Sequence, residues 1–166
     1  MRYILRQHEL RADEWRYLGE ELPEGAPLIV PWSELRSAAE RWRAHPGLLG
    51  VRLTPAERVE ELAPQLPQLA LVAVEFPNVG DGRGYSQGRF LRERLGFSGE
   101  LRAVGAGVRQ DQVFLLARCG FDALELAAGE DVEAARRGFH RYDVGYQPGA
   151  AQVALRLQRF RNETAG

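Results

Sequence analysis

The chain has 166 residues and an almost balanced charge, with 22 basic and 23 acidic side chains. All of these basic side chains are arginines, which excludes Schiff-base chemistry and a P-loop lysine. The balanced charge argues against a general nucleic-acid binder, and no apolar run reaches the roughly 18 residues that a membrane span needs.

The cysteine count and the amino terminus restrict the class of protein and its expected compartment further. A single cysteine, Cys119, cannot form an internal disulfide, and one thiol cannot hold an iron–sulfur cluster or a structural zinc ion. The amino terminus lacks the apolar stretch of a signal peptide. We therefore expect a single cytoplasmic domain at residues 1–166, with no metal site, no nucleic-acid partner and no membrane partner.

The first 27 residues are charged and irregular, and they are predicted to form an N-terminal extension. Within it, residues 1–5 fit a short edge strand and residues 14–22 fit a short helix or turn. From Leu28 onward, apolar runs alternate with helical patterns. Strands are predicted at 28–30, 48–53, 69–74, 101–104 and 123–127, and a polar C-terminal tail is predicted at 150–166.

A helix is predicted after each of these strands. Ser33 is the expected N-cap of the first helix, and Thr54 with Glu57 forms a capping box for the second, which should end near Leu62. The third helix should begin near Tyr85. Five βα units imply an α/β fold with a parallel sheet and right-handed crossovers. The sheet is either partial TIM-barrel-like or open and doubly wound, and periodicity does not separate these two architectures.

The most informative candidate site is the glycine-rich loop after the third predicted strand, because ligands gather at the carboxyl ends of parallel strands. Backbone N–H groups and the Arg83 fork could bind an anion there, with Asp81 orienting the arginine. The alternative, favoured by composition alone, is a tight turn with a local Asp81–Arg83 ion pair. The candidate catalytic residues are Glu75, Asp81 and Arg83, and the candidate ligand-binding residues are Gly82, Gly84, Tyr85 and Ser86.

Charged residues also occur in four of the predicted strands, with alternating sign: Arg52, Glu75, Arg102 and Glu125. On a shared face they would form an ion network or line a polar site. We expect them instead to point outward or lie at strand ends, since charged residues are seldom buried.

A partial dinucleotide fingerprint follows the fourth predicted strand. Gly105 and Gly107 imitate its first two glycines, but Gln110 stands at the position of the third. We therefore predict no nicotinamide or flavin cofactor.

A set of motifs covers nearly the whole chain, at residues 49–53, 76–77, 81–86, 91–94, 99–105, 111–112, 118–122 and 146–148. These motifs resemble a bacterial family whose genes commonly lie beside the sulfite reductase haemoprotein gene. Its members are usually labelled oxidoreductases of sulfite reduction. The resemblance implies a role in assimilatory sulfate reduction rather than a particular reaction. Members often carry a lysine and an aromatic residue where Asn78, Val79 and Gly80 stand here.

Three functions are compatible with these patterns. The first is an accessory protein of sulfate and sulfite reduction that binds sulfite reductase, or a small anion such as sulfite, at the glycine-rich loop. The second is a barrel-like enzyme in which Glu75 or Asp81 is the acid or base and Arg83 holds an anionic substrate. The third is a structural module that acts as a homodimer and needs no small ligand.

Overall fold

One curled, half-barrel sheet of eight strands organises the computed structural model, which describes residues 2–143. The strands lie in the order β2-β1-β8-β7-β6-β5-β4-β3, with β3 to β8 parallel and β1 and β2 antiparallel to their neighbours. Each parallel strand lies beside the one before it in sequence, so the order never reverses as in a doubly wound sheet. The strands are β1 (Tyr3–Arg6), β2 (Glu9–Ala12), β3 (Arg16–Tyr17), β4 (Leu28–Pro31), β5 (Leu49–Leu53), β6 (Leu71–Glu75), β7 (Glu100–Val104) and β8 (Ala123–Leu124).

The connections between parallel strands are less uniform than predicted. The segment after β5, Val59–Gln68, is a 3₁₀-helix instead of an α-helix, and it contains Pro64 and Pro67, which lack the amide hydrogens of an α-helical ladder. The count of five βα units is therefore not confirmed. The α-helices are α1 (Trp32–Ser37), α2 (Ala39–Arg43), α3 (Arg83–Arg89), α4 (Val113–Arg118) and α5 (Val132–Asp143), and α3 continues into a π-helix at Phe90–Arg94.

Two of the predicted caps differ from the structure. Ser33 lies within the first turn of α1 and is not its N-cap, because Pro31 precedes the helix. The Thr54 amide donates a hydrogen bond of 2.7 Å to the Glu57 carboxylate, which is one half of the predicted capping box. This contact closes a turn before the 3₁₀-helix.

The N-terminal extension is part of the sheet. Strand β1 was expected at an edge, but it lies between β2 and β8, with Leu5 opposite Leu124. Strand β3 extends the other end of the sheet through its parallel pairing with β4. The two edges of the sheet thus both come from the first 17 residues. The predicted C-terminal tail at 150–166 lies outside the described residues.

The two faces of the sheet are covered differently. The helices pack on the convex face, where the larger apolar core includes Val51, Val72 and Leu101. The concave face has a smaller apolar cluster, against which Trp15 and Tyr17 pack. None of the helices in the described part of the chain has both the length and the apolar character that crossing a membrane requires.

The four strand charges lie on the concave face. Arg102 is fully buried, which corrects the expectation for that residue, whereas Glu75 and Glu125 lie at strand ends as expected and, with Arg52, are 23–37% exposed. The Arg102 side chain is fully buried and donates to both carboxylate oxygens of Asp13, at 2.9 and 3.1 Å. It also donates to Glu100 at 2.9 Å. Because a strand alternates its side chains between faces, Arg102 shares its face with Glu100, and Asp13 reaches Arg102 from the N-terminal segment.

A second buried arginine fixes the convex side. Arg92, in the π-helix, donates to the carbonyl oxygens of Gly120, Phe97 and Gly99 at 2.9, 2.7 and 2.8 Å. Gly120 has φ +100°, and a Cβ there would lie 2.3 Å from Arg92 Cγ. Asp122 accepts a 2.8 Å hydrogen bond from the Leu101 amide. The segments 91–94, 99–105 and 118–122, in which the sequence resembles the bacterial family, therefore have a structural role.

Removal of Asp13 tests the buried pair. Asp13→Ala removes both hydrogen bonds from the buried Arg102 guanidinium to Asp13 and leaves it paired with Glu100, so we expect the free energy of unfolding to fall by about 3–5 kcal/mol in urea denaturation. The matched control is Glu61→Ala, which breaks an exposed ion pair with Arg36 (3.2 Å) and should change stability by less than about 1 kcal/mol. Equal effects of the two substitutions would contradict this account.

Candidate functional site

The glycine-rich loop between β6 and α3 presents a closed ion pair. Arg83 donates to the two carboxylate oxygens of Asp81, from Nε at 2.9 Å and from Nη2 at 2.7 Å. The hydrogen bond from Arg83 holds the pKa of Asp81 below its usual value. The Arg83 side chain is 62% exposed, whereas that of Asp81 is only 11% exposed. The structure thus contains the local ion pair that composition favoured.

The rest of this loop is held by packing. A Cβ at Gly84 would lie 2.6 Å from Phe76 Cζ, so the loop backbone rests directly on that ring. Tyr85 packs edge-on against Phe76 at 5.1 Å between ring centroids, and burial raises its pKa. Gly82 has open space around it, and Ser86 is exposed. Helix α3 begins at Arg83, two residues before the predicted start.

The candidate catalytic residues fall into two separate ion pairs. Glu75, at the end of β6, lies on the concave face and binds Arg52 at 3.0 Å. Asp81 and Arg83 bind each other instead. The structure therefore brings Asp81, Arg83 and the predicted ligand-binding residues together in one loop, but gives Glu75 a different partner.

Gly105 and Gly107 allow two neighbouring loops to approach closely. The Gly107 amide donates to the Phe76 carbonyl at 2.8 Å. A Cβ at Gly105 would lie 2.6 Å from that carbonyl oxygen, and a Cβ at Gly107 would lie 2.5 Å from the backbone carbonyl oxygen of Asn78. Loop packing therefore accounts for both glycines of the partial dinucleotide fingerprint.

A second group of polar side chains lies on the concave face, and sequence reasoning found only part of it. The Tyr17 hydroxyl donates to Glu125 at 2.9 Å. The guanidinium carbons of Arg2 and Arg52 lie 4.5 and 5.7 Å from the centroid of the Tyr17 ring. We call Arg2, Tyr17, Arg52, Glu75 and Glu125 the Tyr17 cluster; the side chains of its charged members are 23–37% exposed.

The sequence indicated some members of this cluster and gave no indication of the others. Arg52, Glu75 and Glu125 stood out as charges in or beside predicted strands. Arg2 and Tyr17 come from the irregular N-terminal segment, where β3 is only two residues long. No periodicity could place them, because a strand of that length has no pattern to read.

Alkaline titration tests the environment of Tyr17. Burial, followed by the nearby Glu125 charge, raises its pKa above the ordinary value of 10.0. The neutral phenol therefore stabilises the fold fully below about pH 10, and this stabilisation is lost as the pH rises through the folded-state pKa.

We accordingly expect the free energy of unfolding to fall more steeply above pH 10 in the wild type than in Tyr17→Phe, as measured by urea denaturation across pH. The matched control is Tyr3→Phe, which removes a phenol that is 52% exposed. Identical pH profiles for wild type and Tyr17→Phe would refute the assignment.

Comparison with known proteins identifies the family. The family model described as bacterial protein of unknown function (DUF934) matches residues 50–155, which is more than half of the chain. A search of curated proteins found no match. The matched range includes the glycine-rich loop, the Arg92 contacts and three residues of the Tyr17 cluster. The chain therefore belongs to DUF934, a family of bacterial proteins of unknown function.

Proposed function

We propose that the protein is a cytoplasmic accessory protein of assimilatory sulfate and sulfite reduction, and that it docks on sulfite reductase through residues 81–86. The pathway is supported by the resemblance of this loop and of residues 118–122 to proteins encoded beside sulfite reductase. The docking role is supported chiefly by one observation: the Arg83 side chain is 62% exposed while its guanidinium is held in a fixed orientation by Asp81.

The Arg83 guanidinium is already bound to Asp81, which favours a protein partner over a small anion. An anion bound bidentately would use Nε and Nη2 of Arg83, which already donate to Asp81, so it would have to displace that carboxylate. A protein can instead contact the outer side of the guanidinium together with the neighbouring Val79, which is 49% exposed. Arginine is enriched among the residues that dominate binding energy in protein interfaces.

The packing beneath the loop also suits docking. Gly84 and Tyr85 are fixed against Phe76, and the Arg83 amide is a further donor to Asp81 at 3.2 Å. A surface that is already ordered loses little conformational entropy on association. The loop therefore acts as a preformed projection, and its exposed arginine is the expected anchor of the interface.

Growth of a deletion strain tests the pathway. We expect loss of the gene to impair growth on sulfate or sulfite and to leave growth on sulfide or cysteine normal, because the defect would lie at sulfite reduction. Normal growth of the deletion strain on sulfate would contradict the pathway assignment.

Direct binding tests the docking loop. We expect Arg83→Ala to weaken binding to purified sulfite reductase by about tenfold or more in titration calorimetry, since it removes the exposed anchor. Arg89→Ala is the matched control, because Arg89 is 60% exposed, lies on the same helix and also has a carboxylate partner, Glu93.

The control variant should bind like the wild type. Equal weakening by both variants would show that general surface charge is responsible. If sulfite alone competed with sulfite reductase for the wild-type protein, and if Arg83→Ala abolished this competition, the loop would be an anion site instead of a docking site.

A further inference from the structure

The geometry points to a second site, separate from the docking loop: we propose that the Tyr17 cluster on the concave face binds a small zwitterion that carries a carboxylate and an ammonium group, as an α-amino acid does. The residues that would contact it are Arg52, Glu75, Tyr17 and Glu125.

The concave face has a buried part and an accessible part, with different roles. Asp13 and Arg102 are fully buried and bonded to each other, and they already fasten the N-terminal segment to the sheet. The charged side chains of the Tyr17 cluster, by contrast, are 23–37% exposed. These water-accessible charges are thus available to a ligand.

The accessible charges suit a ligand that carries both signs. Two guanidinium groups, of Arg2 and Arg52, face three carboxylates, of Glu20, Glu75 and Glu125. A simple dianion such as sulfate would therefore meet an excess of negative charge, whereas a simple amine would leave the remaining donors of Arg52 unused. A zwitterion places its ammonium group near the carboxylates and its carboxylate near the guanidinium.

The donors and acceptors for such a ligand are present. Among residues 2–143, Glu75 is the carboxylate that pairs with Arg52, at 3.0 Å, and a guanidinium has five N–H donors, so several remain for a ligand carboxylate. Glu125 accepts the Tyr17 hydroxyl at 2.9 Å, and a carboxylate can accept further hydrogen bonds from an ammonium group.

Tyr17 and Arg2 keep this arrangement in place. The Tyr17 hydroxyl donates to Glu125 and orients it, as a phenol that is neutral at physiological pH can do. Arg2 is held by Asp13 at 2.8 Å, by Glu20 at 2.9 Å and by the Trp15 carbonyl at 2.8 Å. A cavity of about 640 Å³ is lined by residues that include Arg2, Asp13 and Glu20, so the cluster borders it through Arg2.

The test is titration calorimetry of the full chain with a panel of α-amino acids. Propionate, propylamine and sulfate are the single-charge probes. We expect at least one amino acid to bind and the single-charge probes to give no binding at the same concentration. Arg52→Ala and Glu125→Gln should each weaken that binding by about tenfold or more.

Two controls separate this site from folding defects and from the docking loop. Arg36→Ala removes an exposed, paired arginine elsewhere and should leave binding unchanged, as should Arg83→Ala. Arg52→Gln replaces Arg52→Ala if the latter unfolds. The proposal is overturned if no amino acid binds, if sulfate or an amine binds equally well, or if the cluster variants that fold retain wild-type affinity.

Discussion

The buried pair of Asp13 and Arg102 is the contact on which the concave side of the molecule depends. Both side chains are fully buried, and two hydrogen bonds of 2.9 and 3.1 Å join them. A single charge in that position would be strongly unfavourable, so each residue holds the other in place. Asp13 also binds Arg2, and the chain continues from Asp13 through Trp15 to Tyr17. The buried pair therefore helps to position Arg2 and Tyr17, the two members of the Tyr17 cluster that come from the N-terminal segment.

The exclusive use of arginine has a structural consequence on both sides of the sheet. Arg92 satisfies three carbonyl oxygens at once, and Arg102 satisfies two carboxylates, which the planar guanidinium with its five donors can do. The ammonium group of a lysine lacks this forked geometry. Two family-like segments, around Arg92 and at 118–122, are thereby explained by folding. The loop at 81–86 is different, because Arg83 is exposed and its partner Asp81 is two residues away.

Local patterns predicted the α/β class because apolar residues recur with one spacing along a strand and with another along a helix. The apolar runs at β5, β6 and β7 were long enough for the strands to be recognised. The same patterns failed between β5 and β6, where prolines impose a 3₁₀-helix. They also misplaced β1, since an isolated strand does not indicate its neighbours. For the glycine-rich loop, sequence reasoning named both the ion pair and its alternative, and the geometry selected the ion pair.

The sequence by itself determined the alternation of strands and helices, the position of the glycine-rich loop after β6 and the presence of charges in or beside four strands. Only the tertiary structure decided that the sheet is a half-barrel and that those charges lie on its concave face. The reason is the distance along the chain between partners. Asp13 and Arg102 are 89 residues apart, and Tyr17 and Glu125 are 108 apart. Periodicity reports which side of its own element a residue occupies, whereas these contacts depend on how the sheet curls and where the N-terminal segment crosses it.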